Sequence, residues 1–150
     1  MSYYNSAVLT NPIVIPVFWE FQANQGVPAA AADGLVPYLM NFLDGLAGSS
    51  WLETTSQYYE NTPQQVIQSA TLLVANPVFD NSSSPGANYI NSDVQNEVGK
   101  LVGPQIVKNS NDIIIVVTPH NSVNTDLQSG GDCAEHFSSQ GGSCKIIWTS

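Results

Sequence analysis

Apolar and polar positions along the chain fall into alternating blocks, each with its own period. The first block, Ala7-Val8-Leu9-Thr10-Asn11-Pro12-Ile13-Val14-Ile15-Pro16-Val17-Phe18-Trp19, is nearly continuous and rich in Val and Ile. Such a run predicts a largely buried strand, while Pro12 and Pro16, which cannot donate to a ladder, predict an edge position or a bulge. From Gly34 to Leu46 the period becomes helical, with Leu35, Leu39, Phe42, Leu43 and Leu46 on one face. Asp33 is the expected cap there, and Pro37 is tolerated in the first turn. A short helix is expected from Ser50 toward Tyr59, and a second strand between Val66 and Phe79 with Ala70, Leu72 and Val74 on one face.

The second half of the chain repeats the pattern. Ser92-Asp93-Val94-Gln95 has the form of a capping box, Val94, Val98, Leu101 and Val102 make one stripe, and Gly103-Pro104 stops the helix. Asp112-Ile113-Ile114-Ile115-Val116-Val117-Thr118 is apolar between polar ends, which predicts a strand buried on both faces. Cys144 to Thr149 reads as one further short strand. The order β, α, β, α, β, loop, β predicts the α/β class: a layered single domain, residues 1–150, with a central, mostly buried sheet flanked by two main helices.

Composition narrows the function. With 150 residues and 43% hydrophobic content the chain suits one core. Twelve acidic residues face three lysines, Lys100, Lys108 and Lys145, with no arginine, and the net charge is −9. Nucleic acid and anionic membrane surfaces, which are bound through clustered basic groups, are therefore not expected partners. No run approaches the roughly 20 apolar residues that span a bilayer. Polarity comes instead from uncharged groups, as in Asn81-Ser82-Ser83-Ser84 and Asn121-Ser122-Val123-Asn124-Thr125, and this suits an extracellular protein. Met1 to Ser6 lacks the basic start of a signal peptide, which a mature or recombinant N-terminus would explain. Asn81-Ser82-Ser83 is a glycosylation sequon.

Candidate chemistry gathers late in the chain. Cys133 and Cys144 lie among glycines and serines and read as a local disulfide, with two reduced thiols as the alternative. His120 follows the Asp112–Thr118 strand, and Asp132, Glu135 and His136 lie near the first cysteine. Beside a parallel strand, ligands gather at the carboxyl end, where His120 falls. Two histidines and two carboxylates suit a divalent metal or acid–base work, although the spacing is not that of a helical zinc motif and ordinary loop histidines compete. The aromatics Tyr3, Tyr4, Trp19, Trp51, Tyr58, Tyr59 and Trp148 offer stacking surfaces for sugars, with core or rim packing the usual role of Trp19 and Trp148.

The run from Ala7 to Trp19 resembles the opening of the phosphate-induced (EXORDIUM-like) proteins, in which a short Val-x-Thr segment leads into an apolar strand ending in aromatics. The later order is similar too, with Asp112 to Thr118 followed by Cys133-Ala134-Glu135-His136-Phe137 matching that family's apolar strand and Cys-containing loop with a histidine. Members continue into a further segment, in some cases with a His-Glu pair similar to metallopeptidase zinc motifs. This chain has no His-Glu dipeptide. The resemblance thus implies the N-terminal half of such a domain, with His136 the position carried over. It implies a secreted, non-catalytic surface or cell-wall-associated protein that acts by binding or assembly. Its partners would be carbohydrate, a cell-wall component or a second polypeptide. The alternative is the N-terminal part of a metal-dependent hydrolase, with zinc near His136, His120 and Glu135.

Overall fold

The computed structural model describes residues 9, 11–19, 34–54, 72–102, 112–119, 122–131, 134–138 and 144–149, the last two segments as backbone. The first apolar run forms β1 (Ile13–Trp19), which lies inside a parallel sheet and not at its edge. On one side it pairs with β5 (Asp112–Val117), in register from Ile13 opposite Asp112 to Phe18 opposite Val117. On the other side it pairs first with β2 (Leu73–Val74) and then with β3 (Val78–Asp80). β8 (Cys144–Thr149) adds beyond β5 in parallel, and β7 (Ala134–Ser138) pairs antiparallel with β8.

The expectation that the prolines mark an edge is corrected by this pairing, and the ladder shows why. The carbonyls of Pro12 and Val14 accept from Leu73 and Ala75, so even-numbered residues turn their backbone groups toward β2 and β3. Pro16 therefore faces the interruption between those two short strands, where its missing N–H leaves no ladder bond unmade. The one strand expected over Val66–Phe79 is thus two, broken at residues 75–77; residues 66–71 lie outside the described residues.

Helices cover both faces of the sheet. Ile15, Val17 and Trp19 of β1, with Ile114 and Val116 of β5, pack against Val94, Val98 and Leu101 of α3 (Asn91–Val102). Tyr89 and Leu127 complete that cluster. On the opposite face Val14, Phe18 and Val117 meet Val36, Leu39, Leu43 and Leu46 of α1 (Leu35–Leu46), together with Leu52 of α2 (Ser50–Glu53). This is the expected α/β layering, a buried parallel sheet between two main helices. A small parallel pair, β4 (Asn88–Tyr89) with β6 (Val123–Asn124), and a six-residue helix, α4 (Thr125–Gly130), sit beside it.

Local details depart from the periodicity in two places. In α1 the core stripe is Val36, Leu39, Leu43 and Leu46, whereas Leu35 and Phe42, expected within it, are 37% and 53% exposed on the adjoining stripe. At α3 the reciprocal cap lies two residues earlier than Ser92 and Gln95. Asp93 accepts from the Ile90 N–H and donates its own N–H to the Ile90 carbonyl. Asp33, Gly103 and Pro104, expected to bound these helices, lie outside the described residues.

Candidate functional site

The chain adds β3 on one side of β1 and then β5 on the other, so the direction of sheet growth reverses between β1 and β5. In open parallel sheets ligands bind beyond the carboxyl ends of the strands around such a reversal. Trp19, Asp80 and Thr118 mark that edge here, at the ends of β1, β3 and β5. A recess of about 410 Å³ opens there between Trp19, the Ser83–Pro85 turn and the α3 side chains Asp93, Asn96, Glu97 and Lys100.

Its wall is a continuous hydrogen-bond network. Asp80 ends β3 and accepts from the Ser82 N–H at 2.8 Å, which turns the chain toward α3. The Ser82 and Ser83 hydroxyls donate to Glu97 Oε1 at 3.3 Å and Oε2 at 2.6 Å. Lys100, one turn further along α3, donates to the same Oε2 and, at 2.9 Å, to Ser83 Oγ. From the sheet side, the Trp19 indole N–H donates to the Ser83 carbonyl at 2.9 Å and more weakly to its Oγ at 3.3 Å. Trp19 meets Tyr89 edge-on with ring centroids 6.1 Å apart, and the Tyr89 hydroxyl shares a 3.0 Å hydrogen bond with Thr118 Oγ1.

Glu97 is 1% exposed, and a buried carboxylate is tolerated only when paired and hydrogen-bonded. Its neighbours meet that requirement. Burial pushes the Asp80 carboxyl up, but its hydrogen bonds with Glu97 and Ser82 and the Lys100 charge outweigh this and hold it below 3.8. Burial raises Tyr89 above 10.0, opposed by its bond to Thr118. The result is a firm recess lined by one ammonium, carboxylates, an amide and hydroxyls, suited to a polar ligand.

Of the residues singled out from sequence, Trp19 borders the recess. His120, Asp132 and Cys133 lie outside the described residues. Glu135 and His136 are consecutive in β7, in register with Trp148 and Ile147, and Cys144 opens β8 opposite Asp112. β7 starts at the same edge as the recess, since Val117, Thr149 and Ala134 align. Among the described residues no group of three or more His, Cys, Asp or Glu side chains is placed to hold a metal ion. Trp19, a candidate stacking surface, is 3% exposed with its N–H committed to Ser83, whereas Trp51 is 69% exposed.

Asp80, Ser83, Glu97 and Lys100 were not anticipated as a group, yet α3 carried a signal. Val94, Glu97, Val98 and Leu101 follow the spacing i, i+3, i+4, i+7, which sets an acid within the apolar stripe. No family model, curated protein or solved structure matches this chain. Among the described residues no helix is long and apolar enough to cross a membrane.

Proposed function

We propose that this chain is a secreted protein, akin to the phosphate-induced (EXORDIUM-like) family, that acts at a cell surface or wall by binding and not by catalysis. The recess at the carboxyl edge of the sheet carries this reading. Glu97, the one carboxylate buried in it, is engaged by Ser82, Ser83 and Lys100, so it orders donors and acceptors in place of serving as a free base. The scarcity of charge and the abundance of Asn and Ser support an extracellular setting.

The test is retention of the full chain on insoluble cell-wall polysaccharide, with metal content and released sugar or peptide measured in parallel. Retention without turnover is the expected outcome. Stoichiometric zinc together with released fragments would instead favour the hydrolase reading, in which His136, His120 and Glu135 serve the metal.

A further inference from the structure

We infer that the recess beside Trp19 takes the ring of a neutral saccharide and discriminates against its acidic counterpart. This rests on the binding reading above and gives that site a ligand class. At about 410 Å³ the recess is toward the small end of ligand pockets, enough for one or two sugar rings. Asp93, Asn96 and Lys100 follow one another at i, i+3 and i+7 along the same face of α3, about one helical turn apart. Together they offer what neighbouring sugar hydroxyls require, acceptors and donors in alternation. Asp93 uses Oδ2 for the Ile90 N–H, Asn96 is an exposed residue whose amide carries both a donor and an acceptor, and Lys100 has three N–H donors of which two go to Glu97 and Ser83.

Charge decides between classes of polar ligand. Glu97 neutralises Lys100, while Asp93 at the rim and Asp80 behind it leave negative charge in excess. A carboxylate or phosphate entering there meets like charge at short range, and an apolar ligand would strip water from groups it cannot satisfy. A neutral polyol meets neither penalty.

The experiment is a titration of the ¹⁵N-labelled full chain with the methyl pyranosides of glucose, galactose and mannose, and with glucuronic acid. The Trp19 indole N–H reports on the recess, and the exposed Trp51 indole reports on general surface binding. The expected result is a saturable Trp19 shift with at least one neutral pyranoside, with Kd in roughly the millimolar range for so small a ligand. Glucuronic acid should bind at least tenfold more weakly. Asn96→Ala, at an exposed helix position, should weaken the Trp19 response about tenfold with an unchanged melting temperature. A Trp19 signal unmoved by every neutral pyranoside, or equal affinity for glucuronic acid, overturns the inference. Movement of Trp51 alone also overturns it while leaving surface binding standing, and loss of wall retention with an intact Trp19 response overturns only the broader reading.

Discussion

Glu97 holds together three parts of the molecule that are distant in sequence. Through Ser82 and Ser83 it ties the turn after β3 to α3, and through Ser83 the network reaches Trp19 at the end of β1. Replacing it by alanine removes the acceptor shared by the exposed Lys100 ammonium and the Ser82 and Ser83 hydroxyls, which then turn to water, so Glu97→Ala is expected to cost about 1 to 2 kcal/mol, measured by urea unfolding. Asp80 gives a pH signature. Its carboxyl titrates below 3.8 when folded, so between the folded and unfolded values the unfolded chain binds more protons, and stability falls as pH drops. The melting temperature of the native protein should therefore decline as pH drops from about 4 toward the lower folded value, with Asp80→Asn showing a shallower decline there. An acid inside the α3 stripe was legible as an oddity in the sequence. Its partners were not, because Ser82 and Ser83 reach it only through the path of β3.

At the level of elements, α4 shows how strong local punctuation can pass unread. Asn124 caps it by accepting from the Asp126 and Leu127 N–H groups, and Gly131 ends it in a left-handed conformation with φ 74°. Asn124 also donates to Asn91 at 2.9 Å, linking α4 to α3, so Asn124→Ala should cost about 2 kcal/mol and Gly131→Ala about 1, both read from thermal unfolding. An Asn before a short run and a Gly-Gly after it are recognised helix signals, yet one turn and a half of helix has too little apolar periodicity to stand out from a polar loop. The expected α1 stripe was right at Leu39, Leu43 and Leu46 and wrong at Leu35 and Phe42 for a different reason: with Tyr38 these two share the i, i+3, i+7 spacing of the true core stripe, and only the sheet decides which of the two is covered.

The pairing of Cys133 with Cys144 has a direct test. Cys144 opens β8, and Cys133 lies outside the described residues. If the two form the proposed disulfide, the unfolded chain takes up alkylating reagent only after reduction, two equivalents counted by intact mass; two thiols alkylated without reductant would rule the bridge out.

For the molecule as a whole, the α/β class and the two covering helices were legible from the continuous apolar runs and the blocks of period 3.6, because each reports its own burial. Strand order was not. That β1 lies between β3 and β5 depends on pairings between segments far apart in the chain, and no local pattern encodes a partner. The centre of the resulting sheet is where truncation should cost most. Ile114 is fully buried against α3, and Ile114→Ala is expected to remove roughly 3 kcal/mol by denaturant unfolding, whereas Tyr38→Ser on the exposed side of α1 should change stability by under about 0.5.

The position of β1 between β2, β3 and β5 also bears on how the chain is made. Residues 13–19 leave the ribosome ahead of residues 112–117, and the ladder between them can form only after roughly a hundred more residues have been added, some 5 to 20 seconds of synthesis at about 5 to 20 residues per second. For that interval the segment that later organises the sheet is an apolar strand with open edges, the kind of segment that aggregates or is held by chaperones. Nascent chains arrested before residue 112 emerges should therefore be captured by a hydrophobic-segment holdase, and chains arrested after residue 149 emerges should escape it.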